Sequence, residues 1–396
     1  MKFTDRYKHH KHSPKQPNKS YLYHLPDVDI LPEPPEQQAG SVYIGEDIAR
    51  FVTTQGAPCK LVSQTVAASV VSYNLDLTDI ANYTKLPKIC KMLSMKLRMD
   101  VTQGTATESD FTLIIPRKER RTVHFRNTIL NDRNFVALDR HKLPVSLGMD
   151  TNNEQVAFAL ADCPHMGLFG STGSGKSIML NSILCSLLMR NTPNQVRISA
   201  IDPKRLELRF YEGIPHMNGS IITDTREAID KLRDMCQLME ARLRLIEQKG
   251  LKDCPPTFHR ELIVIEELFD LMLTSKGEAE EYLCRLLQMG RSAGIHLIIA
   301  TQTPHNDVLT KRIRNNLPAR CCLKVATAID SRIALGMAAA NGQSADKLLD
   351  KGDGYLIHPS KPGEKIRLQG SWIDIPTITA ICNYWRSPDC IDREVN

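Results

Sequence analysis

Residues 166–177 read MGLFGSTGSGKS, and this stretch decides the fold. Met166, Leu168 and Phe169 make a short apolar run of the kind a buried strand carries. The run breaks at Gly170 into a loop that satisfies G-x-x-x-x-G-K-[ST]: Gly170, Ser171, Thr172, Gly173, Ser174, Gly175, Lys176 and Ser177. An apolar stretch of helical character follows over 178–188. Strand, glycine-rich loop and helix in that order are the context a phosphate-binding P-loop requires. Glycines at 170, 173 and 175 let successive backbone N–H groups converge on a β-phosphate at the positive end of the helix that starts there. Lys176 then reaches the β- and γ-phosphates of ATP, and Ser177 holds Mg²⁺. A chance glycine-rich turn of this form is expected in only about one or two chains of this length in a hundred, so nucleotide binding is the working reading.

Composition sets the outer limits. The 396 residues, 42% of them hydrophobic, predict two or three domains with a substantial core. A net charge of +6 is mild, so a nucleic-acid partner must be met by a local basic surface. The eleven cysteines include no C-x-x-C pair and read as reduced, mostly buried thiols of a cytoplasmic protein without a zinc site. Cys321 and Cys322 alternate faces if they lie on a strand. No run of eighteen apolar residues occurs and the amino terminus lacks a signal-peptide core, so no membrane insertion is expected.

Residues 1–40 are polar, basic and proline-rich, with Lys8, His9, His10, Lys11 and His12 in one cluster, and read as a flexible arm rather than a metal site. Residues 41–145 read as a smaller α/β domain. Val71, Tyr73, Leu75 and Leu77 alternate with polar residues as in a strand, and Ile89, Leu93 and Leu97 recur as on a helix whose other faces carry Lys88, Lys91, Lys96 and Arg98. Residues 111–115 and 122–125 read as two strands around a charged turn at 117–121. The basic helix and turn are open to two readings, a nucleic-acid contact or simply solvated charge. A hairpin around 150–153 leads into the larger domain, 146–386, with 387–396 as a tail. There strands and helices alternate, as a mostly parallel sheet covered on both faces requires. Expected elements are a strand at 196–201, a long helix capped by Thr223 or Asp224, a helix at 279–292 and a strand at 295–300.

A second chemical constellation starts at Leu262. The run LIVI ends in Glu266 and Glu267, which places two carboxylates at the carboxyl end of a buried strand, where ligands of open α/β sheets collect. In a P-loop ATPase the first supports the Mg²⁺ shell and the second polarises the attacking water. The alternative is an acidic pair that caps a strand. Gln302, at the end of the next strand, is either a sensor of the γ-phosphate or an ordinary turn residue.

The succession GSTGSGKS, IDPKRLEL, YEGIPH, IEELFDLM, GRSAGIHLIIATQTP, NNLPARC, AIDSR and KGDGYLI resembles the motor region of the FtsK/SpoIIIE family of DNA translocases over residues 45–386. The resemblance implies a RecA-like P-loop ATPase domain preceded by the smaller α/β domain, assembled as a ring of six around double-stranded DNA, with ATP hydrolysed at subunit interfaces. It implies Glu266 and Glu267 as the Walker B pair, with Glu267 catalytic, and Arg291 as an arginine finger reaching the neighbour's γ-phosphate. Residue patterns alone do not choose Arg291 over Arg285 or Arg320. It also implies DNA contacts from the segments after Gln302 and around Ile329. Arg314 and Arg332 match basic positions there, and Lys311, Arg312 and Arg314 are expected on about two helical turns.

Three departures stand out. Glu266 replaces an aspartate, Thr303 and Ala328 replace basic residues, and neither a membrane domain before residue 41 nor a winged-helix module after Trp385 is present in the sequence. The expectation is therefore a soluble translocase of a phage, plasmid or integrative element, with possible mobile-element partners. Rival readings are a conjugative coupling or DNA-packaging ATPase acting on single-stranded DNA, and a nucleotide-gated DNA-binding ring with little turnover.

Overall fold

The computed structural model describes residues 22–37, 42–106, 110–130, 133–337 and 343–391. The histidine cluster at 9–12 and the final residues of the tail lie outside them. Near the amino terminus, β1 (Cys59–Val66), β2 (Val70–Leu77), β3 (Thr102–Ala106) and β4 (Asp110–Pro116) form an antiparallel sheet in the order β1-β2-β4-β3. Helices α1 (Gly45–Thr54) and α2 (Leu86–Leu97) supply Ile48, Val52, Leu86, Ile89 and Leu93 to a core completed by Val71, Tyr73, Leu75, Phe111, Leu113 and Ile115. The period-two pattern of β2 and the fourth-residue recurrence of α2 are what bring these side chains onto facing surfaces.

The larger sheet contains β5 (Pro144–Asp150), β6 (Gln155–Ala159), β7 (His165–Phe169), β8 (Val196–Ile201), β9 (Arg260–Ile265), β10 (Ile295–Thr301), β11 (Ala319–Leu323), β12 (Asp353–Ile357) and β13 (Ile366–Gly370). Their order is β6-β5-β13-β12-β11-β7-β10-β9-β8. The stretch β11-β7-β10-β9-β8 is parallel throughout, while β12, β13, β5 and β6 extend it by antiparallel pairing. The parallel strands are buried along almost their whole length, which is why they read as continuous apolar runs.

Helices α3 (Phe125–Leu130), α4 (Arg133–Ala137), α5 (Lys176–Leu188), α6 (Thr225–Gln248), α7 (Leu268–Ser275), α8 (Glu278–Ala293), α9 (Lys311–Asn315), α10 (Ala328–Leu335) and α11 (Ile375–Arg386) cover both faces. Met166, Leu168, Val264, Ile298 and Cys321 point to the face packed by α5 and α11, and Phe169, Ile265, Ile299 and Cys322 to the face packed by α6, α7 and α8. All eleven cysteines are unpaired, with Cys59 half-buried and the others buried. Among the described residues no helix is long and apolar enough to cross a membrane.

Three expectations differ from what is seen. Residues 22–37, assigned by composition to a flexible arm, pack on the larger unit. Tyr23 bridges Ile391, Leu31 is 2% exposed within the core, and Arg126 holds the carbonyl of Val28 at 3.0 Å and the carboxylate of Glu33 at 2.7 Å. Their few apolar side chains are enough once a ready-made surface receives them. The strand expected at 122–125 is a single bridge, His124 to Trp372, after which α3 begins at Phe125. Phe125, Ile129 and Phe135, which precede residue 146, join the core under the larger sheet. The basic run at 311–315 spans five residues, just over one turn rather than two.

A buried ion pair of the larger sheet also reaches the smaller one. Arg367 on β13 binds both oxygens of Asp353 on β12, at 3.1 and 2.8 Å, and reaches Thr102 of β3 at 3.3 Å. Arg367 is 6% and Asp353 0% exposed. Arg367→Ala would strand the carboxylate and is expected to lower stability by about 3–5 kcal/mol in urea unfolding. Lys142→Ala, which opens the exposed pair with Asp162 at 3.1 Å, is expected to cost less than about 1 kcal/mol.

Candidate nucleotide-binding site

Strand β7 lies between β10 and β11, and the loop that leaves it is anchored by both neighbours. Gly170 N–H donates to Thr301 O at 3.3 Å, and both the N–H and the hydroxyl of Ser171 donate to Lys324 O, at 2.9 and 3.0 Å. The loop then turns through Gly173 (φ 82) and Gly175 (φ 100), a region that side-chain-bearing residues rarely enter. Gly352 braces it from the far side by donating its N–H to Ser174 O at 2.7 Å. Helix α5 starts at Lys176, so the unpaired N–H groups of its first turn and the positive end of its dipole face the loop.

The carboxylates arrive from β9, two strands away. Lys176 Nζ donates to Glu266 Oε1 at 2.8 Å and to the backbone carbonyl of Glu266 at 2.9 Å, with both side chains almost fully buried. Burial pushes the Glu266 carboxyl up from its ordinary pKa, the Lys176 ammonium pulls it back, and Glu267 and Asp202 push it up again. Its second oxygen, Oε2, is buried without a hydrogen-bond partner among the described residues. Glu267 accepts from Thr301 Oγ1 at 2.5 Å, from Phe269 N at 3.2 Å as the cap of α7, and from Gln302 N at 3.1 Å. Those donors occupy three of roughly four lone-pair sites, which leaves one for a water. Gln302 also accepts from Thr172 Oγ1 at 2.8 Å, so it links the loop tip to Glu267. Ser177 Oγ donates to Glu207 Oε1 at 2.7 Å.

The loop, Lys176, Ser177, Glu207 and Gln302 line a cavity of about 800 Å³, within the range of sites that hold nucleotide-sized ligands. Loop, lysine, hydroxyl and carboxylates fit ATP with Mg²⁺: the turn at Gly175 leaves no room for a Cβ, the helix start offers donors, and a buried carboxylate oxygen is unpaired among the described residues. Much of the far wall was not legible as part of a site. Arg120 and Arg121, read as either a nucleic-acid contact or solvated charge, line this cavity together with Lys351, Gln369 and Trp372. Glu207 belongs to IDPKRLEL and Gly352 to KGDGYLI; those motifs were visible in the sequence, but the contacts they make were not.

The other expected site residues lie elsewhere. Arg291 sits in the last turn of α8, exposed, just before β10 begins, whereas Gln302 follows the end of β10. Seven strand residues separate those ends by roughly 20 Å. Lys311 and Arg312 are exposed on α9, and Arg314 donates to Asn306 Oδ1 at 3.2 Å. The segment after Gln302 and α10 come together, since His305 Nε2 lies 3.4 Å from Asp330 Oδ1. Arg332 is exposed on α10, near Ile329, which is 61% exposed.

The loop geometry separates two glycines. A Cβ on Gly175 would meet Gly352 N at 2.8 Å, while one on Gly173 has nothing within 4 Å. Gly173→Ala carries only the cost of positive φ, about 1–2 kcal/mol. Gly175→Ala adds a backbone collision and is expected to weaken ATP binding at least tenfold more than Gly173→Ala, as measured by calorimetric titration.

The sequence model of the FtsK/SpoIIIE family matches residues 130–263 and 257–306. The chain is 32% identical over 367 residues to DNA translocase FtsK of Caldanaerobacter subterraneus subsp. tengcongensis, covering 90% of this chain and 51% of that protein. It is 30% identical over 390 residues to DNA translocase SpoIIIE of Bacillus subtilis strain 168, covering 91% and 48%. The chain thus spans about half the length of the curated relatives it matches. In fold it is similar to the pCW3 conjugation coupling protein TcpA, solved with ATPγS (TM-score 0.57, 20% identity, 86% of this chain and 99% of that one). It is also similar to the cytoplasmic domain of the Type VII secretion ATPase EccC of Thermomonospora curvata (TM-score 0.51, 22% identity, 65% and 34%). With a P-loop on the central strand, an acidic pair two strands away and a family match that runs through both, the chain belongs to the FtsK/SpoIIIE family of P-loop ATPases.

Proposed function

We propose that the chain is the motor of an ATP-driven double-stranded DNA translocase, working as a ring of six with hydrolysis at the seams between subunits. The observation that carries this reading is the separation of parts: Lys176, Ser177, Glu266 and Glu267 gather at one edge of the sheet, and Arg291 stands at the other. In this reading Arg291 acts on a neighbour's phosphates rather than its own. Relatives of about 30% identity named DNA translocases support the choice of cargo.

In this reading the loop N–H groups and Lys176 bind the phosphates, and Ser177 and Glu266 hold the metal. When bound, Mg²⁺ neutralises charge on the β- and γ-phosphate oxygens. Glu267 uses its remaining lone pair to orient the attacking water, and Gln302 reports on the γ-phosphate to the loop tip. Arg291 from the adjacent subunit meets charge that develops in the transition state, an effect generally worth about a thousandfold or more in rate. Lys311, Arg312, Arg314 and Arg332 offer charge to the DNA backbone without reading sequence.

Phosphate release is expected to rise with linear duplex DNA and much less with single-stranded DNA. Stronger stimulation by the single strand would favour a coupling or packaging motor, and no turnover with either would favour a nucleotide-gated ring. Glu267→Gln is expected to bind ATP and to hydrolyse it at least a hundredfold more slowly. Rings mixed from Arg291→Ala and Lys176→Ala subunits are expected to regain part of the activity that each lacks alone, because each variant spoils a different half of the seam. Arg314→Ala and Arg332→Ala are each expected to reduce the salt slope of DNA binding by about one, measured by fluorescence anisotropy across a salt series.

A further inference from the structure

The Ser177 hydroxyl raises a question of protons. An oxygen that gives a lone pair to Mg²⁺ keeps its hydrogen, which the metal makes more acidic, and that hydrogen needs a fixed acceptor if the lone pair is to point at the metal. The first acid of the Walker B pair is the obvious candidate, yet Glu266 pairs with Lys176 at 2.8 Å and turns neither oxygen to Ser177, whose Oγ donates instead to Glu207 Oε1 at 2.7 Å.

Glu207 is held in place from several sides. Asp202, 0% exposed at the end of β8, accepts from the N–H groups of Glu207 and Leu208 at 3.1 and 3.0 Å through one oxygen, and from Lys204 N at 3.2 Å through the other. Leu208 is buried in the core. Tyr211 donates to Asn181 Oδ1 at 2.7 Å, and Asn181 donates to Ser177 O at 3.0 Å. The 202–211 segment is thus clamped to β8 on one side and to α5 on the other, and the Glu207 carboxylate projects between them into the cavity.

We propose that Glu207 is the carboxylate that positions Ser177 for Mg²⁺, accepting the hydroxyl proton and completing the outer shell of the metal. It thereby takes a task that the lysine-bound Glu266 is not placed to perform. Glu207 is a positioning residue: it acts through Ser177 and has no contact of its own with the reacting atoms. The inference rests on the reading of residues 170–177 as the Mg²⁺-ATP site.

The test compares binding of the nonhydrolysable analogue AMP-PNP in Mg²⁺ and in EDTA, by calorimetry on the full chain. The wild-type protein is expected to gain affinity with Mg²⁺, and Glu207→Gln to lose about 10- to 100-fold of that gain while its affinity in EDTA stays within about twofold of wild type. Glu207→Asp should recover part of the gain. Ser177→Ala combined with Glu207→Gln should be no worse than Ser177→Ala alone, because the two act as one unit. Titration of the AMP-PNP complex with Mn²⁺, followed by electron paramagnetic resonance, should show the same loss. A full Mg²⁺ gain in Glu207→Gln, or equal losses in Mg²⁺ and EDTA, would overturn the proposal. Absence of AMP-PNP binding by the wild-type protein in both conditions would instead overturn the nucleotide-site reading beneath it.

Discussion

The arrangement turns on one buried ion pair. Lys176 and Glu266 are 4% and 3% exposed and meet at 2.8 Å, tying the start of α5 to the end of β9 across the intervening β10. Such a pair gives little net stability, because desolvation of both charges offsets most of their attraction. What it fixes is position: neither group tolerates the loss of its partner, so the loop and the acidic strand are held in register. In the proposed function a bound triphosphate offers the lysine a second anion.

The site is only half made by the motif that announces it. Gly352 supplies a brace to Ser174, and the antiparallel strands β12 and β13 carry that brace and Gln369. Arg120 and Arg121 come from the connection between the small sheet and α3, and Trp372 follows β13. The antiparallel extension and the small unit thus form the wall opposite the P-loop. Arg367, bonded to Asp353 and reaching Thr102, keeps that wall in one piece.

How much of this could be read beforehand follows from the physics of each signal. The strand, loop and helix of the P-loop were legible because glycine spacing and an uninterrupted apolar strand are local properties. So were β8, α6 with its cap narrowed to Thr223 or Asp224, the latter being the one used, and the alternating placement of Cys321 and Cys322. Of the antiparallel half only the β5–β6 hairpin was signalled, by its turn at 150–153, since β12 and β13 carry five residues each and little pattern. Residues 122–125 mimic a strand by alternation, yet make a single β-bridge, to Trp372, and composition hid the docking of 22–37 because its anchors, Tyr23 and Leu31, are few. Within the site, Glu266 and Glu267 were placed by the run before them. The hydrogen bond from Ser177 to Glu207 joins residues thirty apart and leaves no trace in spacing.

The role proposed for Arg291 has a consequence for symmetry. In the ring proposed above, the strand-start edge of one subunit meets the strand-finish edge of the next, a head-to-tail contact that repeats with one sense of rotation until the ring closes. Every protomer then looks the same way along the axis. An assembly of this kind has a front and a back before any cargo enters, and so possesses the polarity on which directional movement depends.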